Sequence, residues 1–439
     1  LLRAQRSPRD NFGVAENMTW LGIFVAALIL RLAYLATFRP PFDSVYWELA
    51  TSILQDRSLA IDRAPIIDFE PLYPLFLAAT RLLVGDDPLG SQVVQAAVAS
   101  LGTIFIYRLA VALTGRSSLA MIAAGLFACH PLLVRQAPIA SDLWLASTLV
   151  VAFAYLFVWA SSPRRMTIAG FVLGLVLLTR SMTLPLLVFA PLVLLSQRRL
   201  KEAACLTLVA GLMFTPYVVR NRIVSGSWTP TRSGLNLYIG NAPHTAALLP
   251  AYDLDLLQDH AHVLLAQQRW RLESGSAQYA SAANQFFTDQ ARTHITDDAF
   301  RAARNMAQKA IYLFWPVLVP YYVAAADTYL IVDQNGEIRV RNAVPRPKVE
   351  VFAYSLFYVP VLLTGVIGVY LRRREWRADA ILWCTVATFV GVHAIYFPAT
   401  RYRAPIAFVL LFYAAVACHA LGMRLAPQSC GARCEREGD

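Results

Sequence analysis

The sequence has 439 residues, of which 57% are apolar and only 15% charged, and a mean hydropathy of +0.48. Soluble domains carry about 25% charged residues, so an ordinary cytosolic enzyme, a disordered chain, a collagen and a disulfide-stapled miniprotein are excluded. The formal charge of +11 comes from 39 basic and 28 acidic residues. The basic residues cluster at the ends of apolar runs, as in loops facing an anionic leaflet, and nucleic acid is not an expected partner.

A helix needs about 20 apolar residues to cross a bilayer. In chain order the expected spans are 18–38, 91–113, 118–135, 142–160, 166–180, 182–196, 203–224, 352–371, 378–398 and 404–424. Arg3, Arg6 and Arg9 precede the first, which reads as a signal anchor. The apolar stretch 71–85 is short and contains Pro74 and Arg81, so it reads as a re-entrant or interfacial helix. If it does not cross, the N-terminus, Arg116, Arg164–Arg165, Arg198–Arg199–Lys201, Arg372–Arg374, Arg377 and the tail from Arg424 share one side. That satisfies the positive-inside rule; a crossing at 71–85 would break it.

The resulting fold class is an all-α polytopic membrane protein of about ten spans, with a small mixed lobe outside. Residues 1–224 form an N-terminal module with a first outer loop at 39–90. Residues 225–351 form the outer lobe, 352–424 the last spans and 425–439 a cytoplasmic tail. In the first loop, Asp43 is a candidate helix cap, followed by Trp47, Ala50, Ile53 and Leu54 at helical spacing. In the lobe, 253–273 reads as a helix. Thr296 reads as the cap of another, with Phe300, Ala303, Ala307 and Ile311 on its apolar face. Residues 329–340 read as a hairpin turning at Asp333–Gly336. Of the six cysteines, four lie in apolar runs, and Cys430 and Cys434 are free thiols of the tail.

Ionisable residues at the outer ends of the spans carry the chemistry. Asp43, Glu70 and Asp142 lie there, with Arg135, Arg180, Arg220, Arg222, Arg401 and Arg403. Arginine is disfavoured on that side unless it serves something, and a group of guanidinium ions at one depth suits a phosphate. A carboxylate among them suits a general base or a cation ligand. These residues name no cofactor, and a divalent cation could join the carboxylates. His393, inside a span, reads as a packed histidine.

Five motifs stand in order: Phe42-Asp43-x-x-Tyr46, Phe69-Glu70-Pro71-Leu72-Tyr73-Pro74, His130-Pro131-Leu132-Leu133 before Ser141-Asp142, Thr215-Pro216-Tyr217-x-x-Arg220-Asn221 before Gly234-Leu235-Asn236-Leu237-Tyr238-Ile239-Gly240-Asn241, and Arg401-Tyr402-Arg403-Ala404-Pro405. Together they resemble the bacterial GT-C glycosyltransferases, relatives of the protein O-mannosyltransferases and the lipid A aminoarabinose transferases. The resemblance implies a GT-C fold in a bacterial inner membrane, with its site on the periplasmic face. It implies a polyprenyl-monophosphate sugar as donor, inverting transfer, and an envelope glycolipid, glycan or protein as acceptor. It makes Asp43 the base and puts 69–74 near the donor phosphate; Glu70 and Asp142 remain the further candidate catalytic carboxylates, by their place at the outer surface. Tyr46 and Tyr73, inside these motifs, join Arg180, Arg220, Arg401 and Arg403 as the donor-binding set. Ser44 follows Asp43 where many relatives have a second acid, and no lysine follows Glu70, so neither sugar nor acceptor carries over from the named branches. A transporter or flippase of a lipid-linked sugar and a non-catalytic membrane partner are the alternatives. A transporter should place acids at mid-membrane; here they sit at the outer ends.

Overall fold

The computed structural model describes residues 14–42, 44–61, 64–228, 230, 232–268, 270–273, 276–325, 327–332 and 338–425. Each expected span is helical. The first is α1 (Val14–Phe38), followed by the outer-loop helices α2 (Val45–Asp56) and α3 (Leu72–Val84), with a two-residue hairpin, β1 (Ala60–Ile61) and β2 (Ala64–Pro65), between them. Then come α4 (Pro88–Thr114), α5 (Ser117–Cys129), α6 (Pro131–Gln136), α7 (Leu143–Trp159), α8 (Pro163–Thr179), α9 (Leu186–Ser196) and α10 (Leu200–Ser225). The lobe contains α11 (Arg232–Asn241), α12 (Thr245–Leu248), α13 (Leu257–Gln267), α14 (Ala277–Asp297) and α15 (Ala299–Leu313). Strands β3 (Tyr322–Val323), β4 (Tyr329–Val332), β5 (Ile338–Arg341) and β6 (Val344–Pro345) follow. The chain closes with α16 (Lys348–Leu371), α17 (Ala380–Ile395) and α18 (Ala407–Leu425).

Among the described residues, five helical segments are long and apolar enough to cross a membrane: Thr19–Phe38 of α1, α4, α10, α16 and Thr400–Met423. The other expected spans are shorter apolar helices packed among them. The span expected at 118–135 breaks at Pro131, which has no N–H and holds His130 in an extended conformation. His130 Nδ1 then accepts the Leu132 N–H at 3.2 Å and caps α6.

The path of the first loop is settled by α4. Gln92 in its first turn donates from Nε2 to Pro40 O at 3.0 Å and to Pro138 O at 2.9 Å. Pro40 lies two residues past the end of α1, so the chain leaves α1 and starts α4 at one level, and α3 does not cross between them. Leu82 and Leu83 of α3 are exposed, as suits a helix at the membrane interface. The basic turns gather at the opposite end. There Arg199 Nη2 donates to Ala160 O at 2.5 Å, and Arg372 clasps the fully buried Asp379 at 2.9 and 2.6 Å, with the Tyr413 hydroxyl a third donor at 3.0 Å.

The lobe packs Tyr238, Ile239, Leu254, Leu257 and Phe287 around Phe397, which follows α17. Two glycines of the Gly234–Asn241 motif explain themselves by contact. A methyl on Gly234 would overlap the Asn284 carbonyl, and one on Gly240 would overlap that of Tyr396. Beside Gly240, Asn241 Nδ2 donates to Ile395 O at 2.9 Å. Lys309 Nζ donates to Gly240 O, Ile395 O and Tyr396 O at 2.9–3.0 Å. A single buried ammonium thus ties α15 and α11 to the end of α17.

Two expectations need correction, and a third cannot be placed because its residue lies outside the described ones. Residues 253–273 form a 3-10 turn and a helix that stops at Gln267, with Asp253 accepting the Asp255 N–H at 3.2 Å. Thr296 lies inside α14, a helix not anticipated, and returns its hydroxyl to Arg292 O; Asp298 caps α15 by accepting the Arg301 N–H at 2.8 Å. Asp43, read as a cap, lies outside the described residues, and Ser44 precedes α2 in an extended conformation without a side-chain capping bond. The hairpin is present as β4 paired with β5, Tyr329 opposite Arg341 and Val332 opposite Ile338; its turn at 333–337 also lies outside the described residues.

Replacing Lys309 by Met should lower Tm and speed proteolysis within 225–351. The Gly240 and Tyr396 carbonyls lose their donor, while Ile395 O keeps Asn241, and each buried unsatisfied group costs about 1–3 kcal/mol. An unchanged Tm and unchanged cutting would show that Lys309 is not the tie.

Candidate functional site

A cavity of about 930 Å³ lies between the outer helix ends and the lobe. Its floor comes from the turns after the first loop, α6 and α8, and its roof from 228–236, 253–255 and 318–320. One wall is apolar, built by Met182, Leu184 and Pro185 before α9 and by Phe214 and Val218 of α10. Leu184 is itself exposed.

Two carboxylates meet on the floor at the end of α8. Arg180 leaves that helix in an extended conformation, and its Nη1 contacts both oxygens of Asp142 at 3.1 Å. Its neighbour Ser181 donates its backbone N–H and its hydroxyl to Glu70 Oε1 at 2.7 and 2.5 Å. Burial pushes the Glu70 carboxyl above its ordinary range; the Ser181 bonds, which favour the charged form, oppose this, and nearby Asp142 adds to it. Tyr46 stands over this floor, edge-on to Phe69 at 5.2 Å and to Tyr73 at 4.9 Å.

Guanidinium groups surround the remaining space. Those of Arg180 and Arg401 lie 5.4 and 5.1 Å from the Tyr402 ring centre, so two cations converge on one aromatic side chain. His393 stacks on the same ring at 4.7 Å and gives Nδ1 to the Phe397 carbonyl region at 3.1 Å. Arg401 Nη2 reaches Asp255 at 3.1 Å, and Nη1 lies 3.9 Å from Asp253, whose carboxyl burial pushes up. Arg135 and Arg346 both meet Glu350, and Arg232 donates to Gln258 at 3.1 Å over the Phe69 ring. Among the described residues, no three His, Cys, Asp or Glu side chains converge as a cation site.

Of the candidates read from the sequence, Tyr46, Glu70, Asp142, Arg180 and Arg401 line this cavity, as does Arg135. Asp43 lies outside the described residues; its neighbour Phe42 is buried in the cluster that holds Tyr73 and Trp144. Three others are placed elsewhere. Tyr73 is buried, donating to Gln95 Oε1 at 2.6 Å. Arg403 is buried under Tyr358, 4.2 Å from its ring centre, donating to Trp315 O and Thr400 Oγ1. Arg220 lines a separate groove and ties the first loop down through Leu59 O and Ile66 O, both at 2.9 Å. Arg222 also turns away, over Trp228 and onto Gly226 O. The sequence reading did not single out Ser181, Arg232, Asp253, Asp255 or Arg346. Ser181 adjoins a chosen arginine; the others reach the cavity only through the fold of the lobe.

Residues 64–219 match the family described as dolichyl-phosphate-mannose-protein mannosyltransferase. Among solved structures, the chain is similar to the oligosaccharyltransferase of Archaeoglobus fulgidus tethered with an acceptor peptide, at 13% identity and a TM-score of 0.52, covering 92% of this chain and 50% of that one. It also aligns with ArnT from Cupriavidus metallidurans bound to undecaprenyl phosphate, at 15% identity and a TM-score of 0.38, covering 93% and 80%. This chain spans about half the length of the oligosaccharyltransferase. No curated protein matches it by sequence. The class is therefore a polytopic membrane protein of the GT-C fold, akin over 64–219 to the mannosyltransferase family and over most of its length to an oligosaccharyltransferase fold.

Arg403→Lys should lower Tm, because one ammonium cannot replace two guanidinium bonds and a stacked face; the loss is on the order of 1–3 kcal/mol. Arg401→Lys, at the cavity rim, should leave Tm within about a third of that change. Equal losses at both would contradict their different settings.

Proposed function

We propose that this chain is an inverting glycosyltransferase that moves a sugar from a polyprenyl-monophosphate donor to an acceptor outside the membrane. The observation that carries the reading is one cavity with carboxylates on its floor, converging arginines beside them and an apolar wall from the turn before α9 and from α10. An amphipathic cavity of this kind suits a lipid-linked phosphate: the prenyl chain takes the apolar wall, and Arg180 and Arg401 take the phosphate. The match over 64–219 to a family that uses dolichyl-phosphate mannose supports the donor class. The sugar and the acceptor, whether an envelope glycolipid, glycan or protein, are left open by these residues, as is a bound divalent cation.

In this reading the acceptor hydroxyl attacks the anomeric carbon while a carboxylate takes its proton. The bond from that carbon to the phosphate oxygen breaks, and the phosphate leaves with the electron pair. The leaving group needs charge stabilisation more than a proton, which the guanidinium groups supply. One base therefore suffices, unlike the pair needed for glycoside hydrolysis. We assign it to Asp43, on the family motif Phe42-Asp43-x-x-Tyr46 whose Tyr46 lines the cavity. Asp142 then holds Arg180, and Glu70, fixed by Ser181, orients the sugar. The site faces the periplasm of a bacterial inner membrane in this account, because the basic turns lie at the other end.

Purified protein given a panel of polyprenyl-phosphate sugars with envelope acceptors should release the lipid phosphate. Asp43→Asn should slow turnover by at least about a hundredfold while binding donor normally, the scale of a lost general base. Near wild-type turnover would remove Asp43 from the mechanism, and no release with any donor would remove the activity.

Glu70 gives a pH signature. Its raised pKa means it gains a proton at a pH above the usual value of about 4.3, so the acid limb of kcat should lie above that value. Ser181→Ala removes a bond that favours the ionised form, so the limb should move to still higher pH. Movement to lower pH, or none, would show that Glu70 does not set the limb.

A further inference from the structure

Helix α15 packs the wrong way round for a helix of a soluble lobe. Its inward stripe is Ala302, Asn305, Lys309 and Leu313, half of it polar. Its outward face carries the apolar stripe Phe300, Ala303, Ala307 and Ile311, with Phe300 82% and Ile311 58% exposed, and the exposed Arg304 and Gln308 along one edge of it. A helix on an aqueous core buries its apolar stripe; this one spends its inner face on the Lys309 tie and turns the apolar stripe outward.

Its surroundings say what covers that stripe. The C-terminal end of α15 runs into the transmembrane bundle: Leu313 is fully buried in the main core, Pro316 O accepts the Ser355 hydroxyl at 3.1 Å, and Trp315 O accepts from Arg403 at 3.0 Å. Ser355 lies two turns inside α16, whose flank carries exposed Phe352 and Leu356. Lys309 holds the last turns of α15 level with the outer end of α17, where Ile395 is exposed. The outward stripe thus continues the apolar exterior of the spans. It extends roughly 16 Å along the helix at 1.5 Å per residue, with the exposed Arg304 beside it.

We propose that α15 is a membrane-surface helix, its Phe300–Ala303–Ala307–Ile311 stripe resting on lipid acyl chains and Arg304 at the level of the headgroup phosphates. Amphipathic helices of this kind sit at the boundary between headgroups and chains, and arginine can keep its charge in the polar layer while its stem lies along apolar surface. Through Lys309 the same helix holds Gly240 and Tyr396, so the roof of the cavity is moored to the bilayer. The inference stands on packing alone and does not depend on glycosyl transfer.

The test uses the full chain without its native cysteines, in nanodiscs of phosphatidylethanolamine and phosphatidylglycerol. A spin label is placed singly at 300, 303, 307 or 311, and at exposed Gln285 of α14 as the aqueous control. At the four stripe positions, collision with oxygen should exceed collision with a soluble nickel chelate, and the order should reverse at 285. Because the stripe is outward-facing, the labels need no rearrangement of the fold; each variant is checked for the wild-type elution volume, and any one position that fails leaves three to decide. Nickel collision at the stripe equal to that at 285 would overturn the proposal by showing water there. Low collision with both reagents would overturn it too, by showing that protein, such as a second copy of this chain, covers the stripe.

Discussion

The structure depends on keeping charges alive in an apolar bundle, and the junction after α8 does most of this. A carboxylate taken out of water without a partner costs several kcal/mol, and two lie here within reach of each other. The chain answers with two consecutive residues. Arg180 gives its guanidinium to Asp142, and Ser181 gives its backbone N–H and hydroxyl to Glu70. Because α8 stops at Thr179 and the Arg180 N–H closes its last turn onto Val176 O, the Ser181 N–H is the first released from the helix and points at Glu70. Acids and arginine are therefore fixed relative to one another by the same turn.

The lobe is held by a related device. Carbonyls at the end of α17 have no helical donor of their own, and Lys309 and Asn241 supply it. Gly240 is what lets the two backbones come close enough. The roof over the carboxylates is thereby set by main-chain contacts. The arginine contributions from the lobe side, Arg232 and Arg346, depend on that seating, as do Asp253 and Asp255 opposite Arg401.

The spans were legible because hydropathy averaged over 20 residues depends little on neighbours. The non-crossing of α3 was legible through charge, and Gln92 supplies the physical reason. Depth along the membrane was legible too, but lateral placement was not. Arg401 and Arg403 share a depth, yet in a tight helical turn residues two apart face different ways, so one reaches the cavity and the other packs under Tyr358. Arg220 was misplaced for the same reason. In the lobe, the apolar stripe of α15 is legible and its outward direction is not, because periodicity reports a face without saying what it faces. Thr296 lost the capping role to Asp298, two residues on, since either side chain can cap and the end of α14 decided between them.

The central claim is that the cavity seats a lipid phosphate with its chain along the turn before α9 and along α10. Photo-crosslinking with a diazirine-bearing polyprenyl phosphate, followed by peptide mapping, tests it most directly. The account predicts adducts on the segment of α10 carrying Phe214 and Val218, lost when unlabelled polyprenyl phosphate competes and reduced in Arg401→Gln. Adducts spread over the lipid-facing exterior of the spans, or adducts at Phe214 and Val218 that survive competition, would contradict it.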